Sequence, residues 1–430
     1  MEFNRTTSIW QLSLLLFGLS LIVPSSADDA IETNKVPYKI YLDADQTNSK
    51  SSGKSIELGI RAALEQVNWT LGNHPVELIL KDHHGSTPRS KNHLEQFLND
   101  PNALAVFGGL HSPPLLASRD FINKNQILTL VPWAAATPIT RPTTQDNWIF
   151  RLSVDDSKAG KVIIENAVTM SGYRRPFLLL ENTGWGKANK NTMTKTLSEL
   201  NLQASGIHFF QWGIGRHEAR TILENAVSQG ADSFVLVANA PEGITFAEAM
   251  LSMNKDKQKP IRSHWGITGG QFFNTLGTES IQQLNLSFIQ TSFSFFQQPL
   301  SGEGKKALAA AARVMNKEAL YPKDITAPTG FIHAYDLTRI LISAASQLTF
   351  IGDVKNDRIM LKESLETLKS NVPGLIKNYQ QPFEKYSLNQ INAHEALNIK
   401  DFVMARFNSK GNIILTDQTL NIINGSTHAD

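Results

Sequence analysis

Residues 38–68 read YKIYLDADQTNSKSSGKSIELGIRAALEQVN and contain one complete strand–loop–helix unit. The segment from Tyr38 to Leu42 is mostly apolar and aromatic, which favours a β-strand. A polar, Ser-rich loop follows it. The spacing of one helical face is then shared by Ile56, Ile60, Ala63, Leu64 and Val67. The stretch therefore predicts a strand whose carboxyl end leads through a polar loop into an amphipathic helix.

The same alternation continues along most of the chain. Further strands are predicted at 76–80, 104–107, 127–131, 177–180, 207–210, 233–237, 261–265 and 286–290, with helical patterns between them. Strands separated by helices of this length imply βαβ units and parallel sheets. After residue 300 we predict three helices and then a hairpin at 402–415. The chain has 430 residues, enough for two cores, so we predict two successive doubly wound α/β lobes.

Composition excludes several classes of protein. The chain has 41 basic and 39 acidic residues, a net charge of +2, which argues against nucleic acid or an anionic membrane surface as a partner. It has no Cys, which excludes a disulfide framework, a thiolate metal site and a Cys nucleophile.

The N-terminus has the features of a secretory signal. Arg5 precedes an apolar run, Leu12–Val23, and Ser25-Ser26-Ala27 then offers small residues for cleavage. We predict a signal peptide over residues 1–27 and a mature chain that starts at Asp28. No Cys follows the run, so we expect no lipid or other membrane anchor and a soluble protein in the periplasm.

Ligands of open parallel sheets bind at the carboxyl ends of the strands, so the loops that follow the predicted strands are candidates. These loops are 43–55, 108–112, 132–138, 181–186, 238–242 and 265–271. They are rich in Gly, Ser and Thr, which expose backbone N–H groups. They also contain Trp133, Trp185 and Trp265, whose rings offer flat apolar walls with one polar atom each. We therefore predict a small-molecule site at these loops.

Other chemistries find little support. Ser52-Gly53-Lys54-Ser55 is not a phosphate loop, because Asn48 stands where the motif needs Gly. We expect His83 and His84 to lie in a solvated loop rather than to bind a metal, since no supporting cluster accompanies them. There is no GxSxG motif and no acidic pair with a telling spacing, so we predict no catalytic residue and no cofactor.

An ordered set of features gives the chain a family resemblance. The set consists of the strand and loop leading to residues 56–68, Leu80-Lys81-Asp82, residues 106–112, Val131-Pro132 through Pro138-Ile139-Thr140, and Ile149-Phe150-Arg151-Leu152 before Asp155 or Asp156. In this order the features resemble type I periplasmic binding proteins of the leucine/isoleucine/valine-binding family. The resemblance covers roughly residues 36–415.

The resemblance implies a type I periplasmic binding fold with two lobes joined by a multi-strand hinge. Lobe 1 would comprise 28–152 plus 292–383, lobe 2 would comprise 153–291 plus 384–420, and 421–430 would be a tail. A small-molecule solute would be captured in the cleft and passed to an ABC transporter permease, without catalysis.

The resemblance also implies site residues. From lobe 1, Ser112 and the loop Ala134, Ala135, Ala136 and Thr137 would bind the polar head of the solute. Trp185 would cover it from lobe 2, and Asn239, Trp265 and Thr268 would complete the pocket.

One departure from the family concerns the solute. Amino-acid binders place an acidic residue after the strand that here ends near Trp265, and residues 266–270 contain none. Glu242 or Asp45 could substitute, so an amino acid, an amide and an organic acid all stay open as solutes.

Two other functions stay open. The same fold could serve as a periplasmic sensor that reports its ligand to a membrane receptor or kinase, which neighbouring genes would distinguish from a transporter. A periplasmic enzyme is the third possibility, and turnover of a bound compound would reveal it.

Overall fold

The computed structural model describes residues 35–416, and the first part of this range builds a six-stranded sheet. Its strands are β1 (Tyr38–Ala44), β2 (Thr70–Leu71), β3 (His74–Asp82), β4 (Ala103–Gly108), β5 (Thr129–Val131) and β6 (Ile149–Arg151), in the spatial order β2-β3-β1-β4-β5-β6. The helices between them are α1 (Lys50–Glu65), α2 (Thr87–Asn99) and α3 (Ser112–Lys124). This sheet and its helices form the first lobe.

The next part of the chain builds most of a seven-stranded sheet, the basis of the second lobe. Its first strands are β7 (Pro176–Glu181), β8 (Gly206–Phe210), β9 (Ser233–Val237), β10 (Ile261–Ser263) and β11 (Leu286–Thr291). The helices of this part are α4 (Asp156–Glu165), α5 (Gly184–Glu199), α6 (Arg216–Ser228), α7 (Ala240–Leu251) and α8 (Phe272–Gln283).

The remaining elements return to each lobe in turn. The helices α9 (Gly302–Val314), α10 (Pro328–Ala345) and α11 (Val354–Thr367) pack on the first lobe, and β12 (Val372–Pro373) pairs with β13 (Asn378–Tyr379). The hairpin of β14 (Phe402–Phe407) and β15 (Ile413–Leu415) then completes the second sheet, in the order β15-β14-β11-β10-β9-β7-β8. The chain therefore crosses between the lobes three times, over 152–155, 292–301 and 380–401.

The fold is α/β with two lobes, as predicted, but its sheets are mixed rather than purely parallel. Strand β2 runs antiparallel to β3, and β14 runs antiparallel to both β11 and β15. For the β2–β3 and β14–β15 pairs the physical reason is the short connection, since a short turn joins neighbouring strands only in antiparallel fashion. The predicted signal peptide, the start of lobe 1 before residue 35 and the tail at 421–430 lie outside the described residues. None of the described helices is long and apolar enough to cross a membrane.

Helices α1 and α10 pack closely in the first lobe. A Cβ atom on Gly59 would lie 2.5 Å from the carbonyl oxygen of Phe331, so only Gly allows this approach. The close contact fixes where α10 begins, and Thr329 in its first turn faces the second lobe, where its hydroxyl lies 2.9 Å from Thr268 Oγ1.

A buried ion cluster lies where the chain leaves the first sheet. Arg151, at the end of β6, has no exposed surface, and it binds Glu395 with Nε and Nη2 at 2.9 and 2.6 Å. Its Nη2 also lies 3.1 Å from Asp155, which in turn pairs with Arg141 at 2.6 Å. Burial alone would lower the pKa of Arg151, but the charges of Glu395 and Asp155 outweigh it and raise the pKa. The cluster therefore ties two of the crossings together.

We expect Arg151→Met to lower the free energy of unfolding by about 3–5 kcal/mol, because the buried Glu395 would lose the guanidinium that binds both of its oxygens. Urea denaturation of the purified protein measures the loss. Arg220→Met is the matched control, since Arg220 forms an exposed pair with Glu224 on α6, and such pairs contribute about 0.5 kcal/mol or less. Equal losses in the two variants would contradict the structural role of the cluster.

Candidate functional site

The loops at the carboxyl ends of β4, β5, β7, β9 and β10 meet at one cavity between the lobes. The cavity is lined by Leu110, His111, Ser112, Pro113, Trp133, Ala135, Glu181, Trp185, Asn239, Trp265 and Gly266. About 280 Å³ of space lies between these residues, but the centre of a water molecule can reach only about 10 Å³ of it. The lobes are thus closed tightly, and the space that a water molecule can reach is far below the roughly 300–1,000 Å³ of ligand pockets.

The structure brings together five of the predicted site residues. The cavity wall includes Ser112, Ala135, Trp185, Asn239 and Trp265. Ser112 begins α3, and its hydroxyl accepts a hydrogen bond from the N–H of Ala136 at 3.2 Å. That bond holds the two lobe 1 loops in register at the cavity.

The other four predicted residues do not line the cavity. Ala134 and Ala136 are buried behind its wall. The Thr137 hydroxyl donates to Asp155 at 3.2 Å and so belongs to the ion cluster. Thr268 is turned to Thr329 of α10 rather than to the cavity. These residues support the site from outside it.

Three tryptophans form the apolar walls. The rings of Trp133 and Trp265 meet edge to face, with centroids 6.2 Å apart, and Trp185 packs edge to face against His264. A Cβ atom on Gly266 would lie 2.8 Å from the Trp185 ring, so glycine is what lets the ring approach. The indole N–H groups of Trp133 and Trp185 are buried and have no acceptor among the described residues. The walls therefore offer two N–H donors to a bound molecule.

Glu181, at the end of β7, brings a carboxylate into the cavity wall. Its Oε2 accepts from Asn239 Nδ2 at 2.8 Å and its Oε1 accepts from Thr183 Oγ1 at 3.1 Å. Burial raises the pKa of Glu181 to about 7, the charge of Glu242 adds to the rise, and hydrogen bonds from Trp212 and Thr183 limit it. In the part of the chain that the structure describes, no Lys, Arg or His forms an ion pair with Glu181.

His111 lies beside this carboxylate at the start of α3. Its Nε2 lies 3.2 Å from Asp45 Oδ2 and 3.3 Å from Ser49 Oγ. A catalytic triad needs the nucleophile and the orienting carboxylate on opposite nitrogens of the imidazole, and here both contacts use the same nitrogen. Burial would raise the pKa of Asp45, but hydrogen bonds from His111 and the backbone hold it well below its usual range. The group is therefore a hydrogen-bonded cluster rather than a nucleophile with its base.

The expectation that His83 and His84 lie in a solvated loop is wrong for His83. Its side chain is buried, its Nδ1 accepts a hydrogen bond from the N–H of Gly85 at 3.0 Å, and its ring lies 6.1 Å from that of His111. Between residues 35 and 416 no group of three potential metal-binding side chains is found.

Contacts across the cleft hold the two lobes together. Ser52 on α1 donates to the carbonyl of Gly269 in the second lobe, and Gln271 donates to Ser51 at 3.4 Å. The exposed Trp212 of lobe 2 reaches lobe 1, where its ring lies 5.3 Å from that of His111. These contacts are neutral hydrogen bonds and ring contacts, which individually contribute about 1 kcal/mol.

Some lining residues were not among the predicted site residues. They are Leu110, His111, Pro113, Trp133, Glu181 and Gly266. All of them except Pro113 lie in the candidate loops that follow predicted strands, and Pro113 comes directly after one of these loops. The predicted site residues were chosen by their position in the family resemblance. That choice selected the usual ligand contacts of the family and left Glu181 out.

Comparison with known proteins agrees with this architecture. The sequence model of a periplasmic binding protein family matches residues 41–400. No curated protein sequence matches the chain.

Among solved structures, a type 1 periplasmic binding protein from Bordetella pertussis is 15% identical with a TM-score of 0.73, over 89% of this chain and 100% of that one. The leucine-binding protein LivK from Thermotoga maritima is 18% identical with a TM-score of 0.69, over 88% and 98%. A solute-binding protein from R. palustris in complex with 4-hydroxybenzoate is 13% identical with a TM-score of 0.70, over 89% and 96%.

At these identities the structures establish the shared fold, and the family model spans most of the chain. The protein belongs to the periplasmic binding protein family.

Proposed function

We propose that the protein is the solute-binding component of an ABC uptake transporter. The observation that carries this proposal is a cavity whose walls come from both lobes and which the closed lobes almost fill. Neither half of the wall alone could surround a molecule, yet small-molecule sites bury most of their ligand. The protein must open to load its solute, and a permease would receive the solute from the closed form.

The solute is a small molecule of the amino acid, amide or organic acid class. Two proteins of similar fold have ligands in two of these classes, since one is named a leucine-binding protein and another was solved in complex with 4-hydroxybenzoate. A role without catalysis is supported by the His111 geometry and by the family, whose members bind substrates.

The proposed location is the periplasm, after cleavage of the predicted signal peptide. This part of the proposal rests on the apolar run Leu12–Val23 and on the family.

We expect the two lobes to close around the solute. A thermal-shift panel of amino acids, amides and organic acids identifies a stabilising compound, which at 100 times its Kd stabilises the fold by about 2.7 kcal/mol. Small-angle scattering with that compound should then give a smaller radius of gyration than scattering without it, because a ligand favours closure only by contacting both lobes. An unchanged radius with binding confirmed by calorimetry would leave a preformed pocket in one lobe and defeat the mechanism.

We expect Trp185→Ala to weaken binding of the same compound by about 2–4 kcal/mol, the usual loss for a central aromatic residue of a binding site. Calorimetry measures the affinity, and circular dichroism checks that the fold is retained. Trp69→Ala is the control, because Trp69 follows α1 and packs against Arg61 outside the cavity. If both variants bind as well as the unmodified protein, Trp185 is only a packing residue.

A further inference from the structure

We propose that the solute carries a positively charged amine group and that this group lies against Glu181 in the cavity between the lobes. The inference rests on the proposed solute-binding function and names the class of solute. In this proposal the carboxylate at the end of β7 recognises the positive charge of the solute.

The first support is the way Glu181 is held. Thr183 and Asn239 occupy the N-cap positions of α5 and α7, but neither side chain caps its helix. Both donate to the Glu181 carboxylate instead, one to each oxygen. A lost cap costs a helix roughly 1 kcal/mol, so two helices give up stability in an arrangement that fixes one carboxylate at the cavity wall.

The second support is the balance of charge around the cavity. Asp45 is paired with His111, while Glu181 and Glu242 have no basic partner among the ion pairs of residues 35–416. The Glu242 carboxylate accepts only the N–H of Gly213, at 3.0 Å, among its described hydrogen bonds. Of these two carboxylates only Glu181 lines the cavity, where His111 lies near it without forming an ion pair with it. Burying an unpaired charge is costly, and a cationic solute would supply the missing partner.

The third support is the chemistry of the walls. Aromatic faces attract cations, and the cavity has the rings of Trp133, Trp185 and Trp265. The unpartnered indole N–H groups of Trp133 and Trp185 need an acceptor. A small amine that also carries an oxygen atom, such as an amino acid or an amino alcohol, satisfies both the carboxylate and the indoles. A neutral amide could donate to Glu181 but would leave the charge of its ionised form unbalanced.

The position of Glu181 also gives the binding a pH dependence. With its pKa raised to about 7, only about one Glu181 in ten is ionised at pH 6 and about nine in ten are ionised at pH 8. A cation pairs with the ionised form, so its affinity should be about tenfold higher at pH 8 than at pH 6. The titratable groups that face Glu181 are Glu242 and His111, the latter paired with Asp45. Loss of the pH dependence in Glu181→Gln would attribute it to Glu181.

Matched probes test the inference. The first set is valine, 2-methylpropylamine, which lacks the carboxylate, and 3-methylbutanoate, which lacks the amine. The second set is 4-hydroxybenzylamine and 4-hydroxybenzoate, which differ mainly in the charge on one substituent. Calorimetry and thermal shift of the purified protein give the affinities at pH 6 and pH 8.

In each set, we expect the amines to bind at least about 30-fold more tightly than the compound without an amine, as for other buried charge pairs. Glu181→Gln should remove this preference, and Glu181→Asp, which keeps the charge, should retain part of it. Glu224→Gln is the matched control, because it removes one negative charge from the exposed face of α6 in the same lobe. It should bind as the unmodified protein does. Circular dichroism confirms that each variant folds.

Tight binding of 3-methylbutanoate or 4-hydroxybenzoate, with closure of the lobes, would overturn the inference and leave the proposed function intact. An amine whose affinity is unchanged by Glu181→Gln would overturn it as well. Absence of binding by every probe and by the wider panel of amino acids, amides and organic acids would count against both proposals.

Discussion

The pairing of Arg151 with Glu395 is the contact on which the two-lobed arrangement depends. The guanidinium binds both carboxylate oxygens, and the backbone of Arg151 also bonds to His394 and Ala396 on either side of Glu395. One residue thus joins the first crossing between the lobes to the third. A fully buried pair of this kind adds stability only if every polar atom finds a partner, and here Asp155, Arg141 and the carbonyl of Ala136 complete the set.

The same cluster positions the binding loop. Arg151 Nη1 donates to the carbonyl of Ala136 at 2.9 Å, and the N–H of that residue donates to Ser112 at the cavity. A continuous chain of hydrogen bonds therefore runs from the crossings to the cavity wall. Because the crossings are fixed by strong, buried contacts and the cleft is held by neutral ones, relative motion of the lobes should open the cleft and leave the crossings intact.

The sequence was sufficient to predict the regular parts of the fold. Strand β9 coincides with the predicted strand at 233–237. A short apolar run between polar turns is typical of a buried strand, and all five of these residues are buried. The hairpin at 402–415 was equally clear from its turn. Strand β2 was missed, because it has two residues and exists only by pairing with β3. A strand of two residues is too short to show a pattern of alternating apolar and polar residues in the sequence.

A local rule brought some of the predicted site residues to one place, and distant partners decided the position of the others. The structure has Ser112, Trp185 and Asn239, which all lie in strand-end loops, at one cavity. Thr268 was expected in the pocket, but its hydroxyl lies against Thr329, which is 61 positions away in sequence. Likewise, the burial of His83 and the orientation of the Thr137 side chain depend on packing between elements that are far apart in the sequence. Orientation of single side chains is therefore the part that required the structure.

The surroundings of Glu181 depart from two general rules of protein structure. A cap residue normally bonds to its own helix, and a buried Glu normally finds a basic partner. At Glu181 both rules are broken together, since two cap side chains bond to its carboxylate and no Lys, Arg or His among the described residues forms an ion pair with it. Departures from local rules are expected at functional sites. In the proposed mechanism, closing the empty cleft would remove the carboxylate from water and so oppose closure. A solute that neutralises the charge would remove this penalty, and capture would then be coupled to closure.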